Sequence, residues 1–423
     1  MYDLCVVGAG MIGSSAARHA TVTSGLSTCL IGPSEPKGKR SAQNVAIYGS
    51  YFDEGRITRC LDKDFVWSTL AQESIKRYRD IERQSGIKFY YEVGNLMVGG
   101  KTYLSKTDDV ASRNAIPTEF FDNKSLQHRF PYLRFTNNTL GSFETQNAGH
   151  INPRRIVQAQ KVIAAEQGCT IIDDVVNHVT RIVQSDGTYA MQVKTEEGRT
   201  ILCKRVLLAT GAFTTFKNLM PYMKPEQKLS PISVSLLEVD KSSLETLSDM
   251  PCVIYYGSAN ADWKIPSSQM KENEVSFYLL PPIKYPDGRY YIKLGLFDAV
   301  TATMTSLGDV KQWFDNGDTK YAEKVTKFTE SLFKGVQFNS WHSDSCVITE
   351  TPTERPYIDM LHDQLGVAIG GNGYAAKSSD EIGRLAADMI NGQWNSKLPR
   401  ELFKLRTLSK YDESTFTSLL GKL

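Results

Sequence analysis

The chain has 423 residues, 41% of them hydrophobic and 23% charged, and a formal net charge of +2. This composition indicates a globular protein of two or three domains, and the small net charge argues against a nucleic-acid or membrane-surface partner. The seven cysteines and six histidines show no metal-ligand spacing and no apolar run reaches the ~20 residues that span a bilayer, so we expect no metal and no membrane partner.

The first motif of the chain is typical of dinucleotide binding. Residues 3–13 read Asp-Leu-Cys-Val-Val-Gly-Ala-Gly-Met-Ile-Gly, and an alanine-rich helical stretch follows. Gly8 makes the tight turn, Gly10 lets a pyrophosphate approach the backbone, and Gly13 lets the helix pack closely on the strand. The N–H groups at the start of that helix would face the phosphates. A glycine-rich turn without a ligand is the alternative. The expected cofactor contacts here are Gly8, Gly10, Met11, Ile12 and Gly13.

A second strand is predicted over residues 26–31, completing a βαβ unit. An acidic residue at the end of this strand usually binds the ribose hydroxyls of the dinucleotide. Gly32 stands at that place, and the nearest acidic residue is Glu35. We therefore expect Glu35 to be the ribose ligand.

The next segments alternate between helical and extended patterns. Helices are predicted over 63–84 and 153–167, where apolar residues recur at helical spacing. Between them, residues 86–100 alternate apolar and polar and are predicted to form strands, whereas 117–147 is predicted to be rich in loops.

A strand over 170–172 and a hairpin over 175–195 precede an apolar strand that begins at residue 205. That strand ends in the small residues Ala-Thr-Gly-Ala, which let the backbone pass close to a nucleotide. The expected cofactor contacts in this region are Val176, Thr210 and Gly211.

The last third of the chain contains a second glycine-rich turn. Residues 228–300 are rich in alternating strands, typical of an antiparallel sheet, and 307–334 has a helical pattern. An apolar strand over 366–370 then leads into Gly-Gly-Asn-Gly-Tyr-Ala-Ala-Lys and an amphipathic helix. A second strand-to-helix turn so far from the first predicts a discontinuous nucleotide-binding domain.

Four further features accompany the N-terminal motif. They are an Arg-x-x-Arg stretch at 56–59, a Tyr-x-x-Pro strand at 278–281 followed by Lys-Leu-Gly at 293–295, Cys346 followed by Thr-x-Thr-Pro and a closing Ile-Asp, and the glycine-rich turn. Together they resemble FAD-dependent amine oxidases of the monomeric sarcosine oxidase type, in the D-amino-acid oxidase group. The resemblance implies an α/β fold, with a Rossmann-like FAD-binding domain and a second α+β substrate domain built on an antiparallel sheet.

The resemblance, together with the two glycine-rich turns, suggests how the chain is divided. The expected FAD-binding domain is discontinuous, the substrate domain is inserted into it, and a C-terminal extension follows. The segments are 1–85, 148–225 and 340–392 for the FAD-binding domain, 86–147 and 226–339 for the substrate domain, and 393–423 for the extension.

The resemblance implies that Cys346 carries FAD covalently, through an 8α-S-cysteinyl bond. Arg56 would contact the flavin or its support. A buried structural cysteine is the alternative for Cys346 and the default for the other six cysteines. The second glycine-rich turn would also contact the cofactor, through Gly371, Asn372, Gly373, Tyr374 and Lys377.

The resemblance gives Lys293 and Arg59 catalytic roles. Lys293 would contact flavin N5 through a water and stabilise charge that develops on oxygen. A strand lysine that faces water is the alternative, because a buried charge needs a partner. Arg59 resembles an arginine that pairs with a substrate carboxylate, and Lys377 stands near the place of a second carboxylate-binding lysine. For Arg56 and Arg59, a surface ion pair with Asp53, Glu54, Asp62 or Asp64 is the alternative.

Several departures from the family pattern concern the substrate. Sarcosine-specific members carry a histidine where this chain has Phe297 and a tyrosine where it has Ile348, and Tyr51 and Phe52 replace histidines. The pocket should therefore be more apolar and larger, which argues against sarcosine itself. The expected substrate contacts are Arg59, Tyr278, Phe52, Ile348 and Lys377.

The expected activity is oxidation of an amine or N-alkyl amino acid to an imine, with oxygen reduced to hydrogen peroxide. A flavin dehydrogenase of the same fold with another acceptor, and a non-catalytic flavin-binding protein, are the alternatives. We expect a monomer whose partners are the small-molecule substrate and oxygen. Scattered cysteines favour the cytoplasm, and the imperfect Ser-Lys-Leu-like ending, Gly-Lys-Leu, leaves the peroxisome as the alternative.

Overall fold

The computed structural model describes residues 1–35, 49–217, 219–220, 223–259, 261–266, 274–297 and 304–408, so the Gly-Lys-Leu ending lies outside the described residues. The helices in these ranges are α1 (Met11–Val22), α2 (Phe65–Ser85), α3 (Lys101–Arg113), α4 (Asn123–Arg129), α5 (Pro153–Glu166), α6 (Leu307–Asn316), α7 (Thr319–Ser331) and α8 (Ala375–Ile390). None of them is both long and apolar enough to cross a bilayer.

The strands in the described ranges build three sheets. They are β1 (Tyr2–Val7), β2 (Thr28–Ile31), β3 (Arg56–Thr58), β4 (Tyr90–Tyr91), β5 (Asn95–Gly99), β6 (Glu119–Phe121), β7 (Leu140–Glu144), β8 (Gly149–Ile151), β9 (Thr170–Ile172), β10 (Val176–Val183), β11 (Tyr189–Thr195), β12 (Thr200–Leu208), β13 (Lys228–Val239), β14 (Cys252–Ser258), β15 (Glu274–Lys284), β16 (Tyr290–Leu296), β17 (Phe338–Glu350), β18 (Tyr357–His362) and β19 (Leu365–Ile369).

The first sheet has β1 at its centre. Strands β19, β12, β1, β2 and β9 run parallel in that order, and the hairpin of β10 and β11 and the strand β18 extend the sheet in antiparallel fashion. Residues 4–7 of β1 are all buried, as expected for a parallel strand covered on both faces. Four helices, α1, α2, α5 and α8, pack together beside this sheet. A Cβ on Gly383 of α8 would lie 2.5 Å from the Ser15 Oγ of α1, so these two helices approach closely.

The second sheet has the order β17-β13-β16-β15-β14-β5-β7-β6. Its pairs are antiparallel except for β14 and β5. Helix α7 packs on β13, and α6 packs on β17. A small third sheet, β3-β8-β4, follows the first glycine motif in sequence. The expected antiparallel sheet of a second domain is therefore confirmed.

Two details differ from the expectation. Strand β17 pairs with β13 from Phe338 to Glu350, so residues 340–350 belong to the second sheet and not to the FAD-binding segment 340–392. The segment 117–147 holds β6, α4 and β7 and is less loop-rich than expected. Asp122 caps α4 by accepting a hydrogen bond from the Ser125 N–H at 2.7 Å. The first difference arises because pairing with a distant strand is not visible in local composition.

Candidate active site

An elongated cavity lies where the carboxyl ends of β1, β2, β12 and β19 meet strand β17. Ligands of open α/β sheets bind at this edge. The cavity walls come from residues 7–12, 31–34, 49–52, 209–213, 346–349, 368–371 and 375–376, with a few single residues besides these segments.

The N-terminal turn forms one end of the cavity. Gly8 has φ +106° and a Cβ there would lie 2.4 Å from the Ala209 carbonyl oxygen, so only glycine fits. Gly10 immediately precedes α1, and among the described residues the nearest neighbour of a Cβ on it would be the Tyr51 ring, at 3.7 Å. The helix N-terminus is thus open to a phosphate group.

Gly13 lies one turn into α1 and packs against the Gly8 carbonyl. A Cβ on Gly13 would lie 1.8 Å from that oxygen. We expect Gly13→Ala to cost about 3 kcal/mol or more of unfolding free energy, since a backbone clash is harder to relieve than an overpacked side chain. Thermal unfolding would measure this cost. The control is Gly308→Ala in α6, where the nearest atom is Ser306 Oγ at 3.5 Å; equal losses in both variants would contradict the packing role.

The expected ribose ligand is engaged elsewhere. The Glu35 carboxylate accepts a hydrogen bond from Arg154 Nε at 2.5 Å, and Arg154 also donates to Glu54 at 2.7 Å. Glu35 is not among the residues that line the cavity, whereas Gly32 and Ser34 are. A Cβ on Gly32 would lie 2.5 Å from the Ala9 nitrogen, which explains the missing acidic residue at this position.

The two other backbone turns also reach the cavity. Thr210, Gly211 and Val176 line it, and so do Gly371 and Gly373. The side chain of Asn372 instead braces its own turn. Its Nδ2 donates to the Gly370 carbonyl at 2.7 Å, and its Oδ1 accepts from the Thr351 N–H at 2.8 Å.

Cys346 lies on β17 and lines the cavity with Ile348 and Thr349. It is the one cysteine of the seven that is not buried. Phe52 and Arg56 also line the cavity. Arg56 Nη2 donates to the Ser50 carbonyl at 3.0 Å, which ties residues 49–52 to the strand that carries the arginine.

Lys293 is only 1% exposed, so it faces inward as expected. Its Nζ contacts the Asp53 carboxylate and the Gly55 carbonyl. Asp53 also pairs with Arg56 and accepts a hydrogen bond from Tyr285 at 2.9 Å. Burial, with Arg56 nearby, lowers the pKa of Lys293 well below its ordinary value. Lys293 is therefore a buried cation, and the Asp53 carboxylate connects it to Arg56, which lines the cavity.

Arg59 and Lys377 share a second buried carboxylate, that of Asp62. Arg59 Nη1 donates to Asp62 Oδ2 at 2.7 Å, and Lys377 Nζ donates to the same oxygen at 2.9 Å. Burial alone would raise the pKa of Asp62, but Lys377 and Arg59 outweigh burial and lower it. Burial lowers the pKa of Lys377 despite this partner. Arg59 thus forms an ion pair with a nearby acid, as the alternative for this residue predicts, but the pair is buried and not on the surface.

An aromatic wall, defined as Tyr103, Tyr256, Phe297 and Tyr278, lies on the second sheet and helix α3. The Tyr256 ring lies 4.5 Å from that of Tyr103 and stacks at 5.1 Å on Phe297, whose ring is 5.8 Å from Tyr278. Phe297, the residue at the family's histidine position, is 37% exposed. The four rings are in contact with one another, and none of them is among the described residues that line the cavity.

The candidate residues thus fall into two groups. The structure brings one group together along the cavity wall: Gly8, Gly10, Met11, Ile12, Phe52, Arg56, Val176, Thr210, Gly211, Cys346, Ile348, Gly371 and Gly373. The other group does not line it: Gly13, Glu35, Arg59, Tyr278, Lys293, Asn372, Tyr374 and Lys377.

Sequence reasoning missed the carboxylates that hold the buried cations. The sequence indicates Asp53 and Asp62 only as surface partners of the arginines, and it does not indicate Glu144, which holds backbone N–H groups. Glu144 accepts hydrogen bonds from the Cys60 and Leu61 N–H groups at 2.9 Å each, and burial raises its pKa to about 7. The three-residue spacing of Arg59 and Asp62 could have indicated their ion pair, whereas no local pattern indicates the role of Glu144.

These residues fit a bound FAD. At Gly8, Gly13 and Gly32 a side chain would clash with neighbouring backbone atoms, so glycines allow the close backbone packing at the start of the cavity. An exposed helix N-terminus suits the pyrophosphate, and a half-buried thiol lies on a different wall of the same cavity.

Comparisons with known proteins agree with this geometry. The monomeric sarcosine oxidase of Arthrobacter sp. is 20% identical over 405 residues, 92% of each chain. That of Streptomyces avermitilis is 28% identical over 174 residues, which cover 40% of this chain and only 42% of that protein. A solved open form of NikD, described as an unusual amino acid oxidase, superposes with a TM-score of 0.71 at 15% identity, covering 96% of this chain and 98% of that one.

The match to a protein family covers a larger part of this chain than the match to the Streptomyces protein. Residues 3–389 match the family described as FAD dependent oxidoreductase. The resemblance and the fold class inferred from the sequence are therefore confirmed, and this chain belongs to the family of FAD-dependent oxidoreductases.

Proposed function

We propose that the protein oxidises an amine or N-alkyl amino acid to an imine and transfers the two electrons to oxygen, which forms hydrogen peroxide. The observation that carries this proposal is the cavity, because it joins a dinucleotide-type turn at Gly8 to the half-buried Cys346. The names of the relatives, monomeric sarcosine oxidases, support a secondary amine as the reacting group.

FAD supplies the hydride-accepting chemistry when it is bound. We propose that Gly8, Gly10 and Gly211 hold its phosphate-bearing part and that Cys346 Sγ bonds to the 8α-methyl carbon. Forming that bond would remove one hydrogen from the thiol and one from the methyl group; the two electrons would pass to the flavin ring itself and from there to oxygen, which would leave as hydrogen peroxide.

The substrate would be held without a side-chain base. Among the described residues that line the cavity there is no histidine, aspartate or glutamate, which supports binding of the amine in its neutral form. Phe52, Ile348 and Tyr278 are the proposed apolar contacts. Lys293 is the proposed source of positive charge for oxygen, because it is the cation buried behind Arg56 and Asp53.

Anaerobic mixing tests the reaction. N-methyl amino acids and N-methyl amines should bleach the flavin absorbance without oxygen, and admitting oxygen should restore the colour with one hydrogen peroxide per flavin. Reduction by substrate followed by reoxidation only with a dye would select the dehydrogenase. A flavin that no amine reduces would select the non-catalytic flavoprotein.

We also propose a cytoplasmic monomer, with the peroxisome as the alternative location. The proposed FAD-binding domain combines residues 1–85, 148–225 and 351–392, because the second sheet takes residues up to Glu350.

A further inference from the structure

Three charged side chains beside the cavity are almost completely buried. Arg59, Asp62 and Lys377 are 6%, 1% and 3% exposed. Asp62 Oδ2 accepts from both cations, at 2.7 Å and 2.9 Å. The remaining contacts of the cations are to backbone carbonyls, from Arg59 to Leu61 at 2.7 Å and from Lys377 to Trp67 at 3.3 Å. Within the described residues, Asp62 is thus the carboxylate that these two cations share.

The carboxylate of Asp62 is held in place from several sides. Its other oxygen, Oδ1, accepts from the Asp64 N–H at 3.2 Å. Glu144 holds the preceding backbone by accepting from the N–H groups of residues 60 and 61. The Asp62 carboxylate is therefore held at both of its oxygens, and the backbone just before it is held as well, so the carboxylate keeps its place beside the two cations.

The position of this ion cluster ties it to the substrate region. Lys377 directly follows Ala375 and Ala376, which line the cavity. Its Nζ lies 5.8 Å from the centre of the Tyr374 ring. The charge of Arg59 also acts on Tyr103, a member of the aromatic wall. The cluster is therefore next to residues that line the cavity and close to the aromatic wall.

We propose that Asp62 determines specificity, because its carboxylate occupies the cation pair that would otherwise bind a carboxylate of the substrate. The preferred substrate is then an amine with an aromatic or apolar group and no carboxylate on a carbon bonded to its nitrogen. A second carboxylate would be buried beside that of Asp62, and like charges at this distance repel. This inference rests on the proposed amine oxidation and names its substrate class.

The test compares two probes that differ only in the carboxylate, N-methylphenethylamine and N-methyl-L-phenylalanine. Rates of anaerobic flavin reduction are measured for the wild-type protein, for Asp62→Asn, and for Asp80→Asn as a control on the exposed face of α2. The wild type and the control should prefer the amine. Asp62→Asn should shift the preference toward the acid by about tenfold or more, the scale of one charge-assisted hydrogen bond.

A binding measurement makes the test independent of turnover. Benzoate, followed by the perturbed flavin spectrum, should bind Asp62→Asn about tenfold or more tightly than it binds the wild type. Asparagine keeps the shape and one acceptor oxygen of Asp62. A wild type that prefers the acid, or an unchanged benzoate affinity in the variant, would overturn the inference. If neither probe reduces the flavin, the proposed oxidation fails, while the benzoate result still decides the role of Asp62.

Discussion

Replacing Lys293 with methionine is expected to slow reoxidation of the reduced flavin by oxygen about 10²-fold or more, the scale of losing one preorganised charge. Reduction of the flavin by substrate should change far less. Lys293 is 1% exposed and is held by the Asp53 carboxylate and the Gly55 carbonyl. Electron transfer to oxygen creates negative charge, and a buried cation stabilises that charge more strongly than an exposed one.

Stopped-flow kinetics separates the two half-reactions. The matched control is Lys284→Met, an exposed lysine of β15 in the same sheet. Because burial lowers the pKa of Lys293, its charge is lost at a lower pH than is usual for a lysine side chain. Wild-type reoxidation should therefore slow as the pH rises through that lowered pKa, and Lys293→Met should lose this pH dependence. Reoxidation at the wild-type rate in Lys293→Met would remove the lysine from the oxygen reaction.

Replacing Cys346 with serine is expected to abolish covalent attachment of the flavin completely. Cys346 is the half-buried cysteine on the cavity wall, and the other six are buried. A serine hydroxyl is a far weaker nucleophile than a thiolate. Intact-chain mass spectrometry of the wild type should show the mass of FAD less two hydrogens, and acid precipitation should leave the yellow colour in the pellet.

The control for this experiment is Cys169→Ser, a buried cysteine before β9. That variant should keep the added mass, although it loses some stability. In Cys346→Ser the chain should have its unmodified mass, and any flavin should appear in the supernatant. An unmodified wild-type chain from flavin-replete cells would exclude the covalent bond, and a modified Cys346→Ser chain would move it to another residue.

The motif-bearing segments could be predicted because each depends on local backbone constraints. Gly8 at φ +106° and Gly13 against the Gly8 carbonyl are positions that only glycine fills, so their spacing specifies a strand, a turn and a helix. The stretch from Cys346 to Asp359 was likewise recognisable, because its residues are close together in the chain, from β17 into β18. The ion pair of Glu35 could not be predicted, because its partner Arg154 lies 119 residues away in the sequence.

The sequence by itself therefore determined the dinucleotide turn, the two-domain organisation and the family. Only the tertiary structure decided which carboxylate meets each of the two buried lysines. Asp53 and Lys293 are 240 residues apart, and Asp62 and Lys377 are 315 residues apart. Such pairs form because burying a charge without a partner costs several kcal/mol. Which partner is within reach depends on how distant strands and helices pack, and no local pattern records that packing.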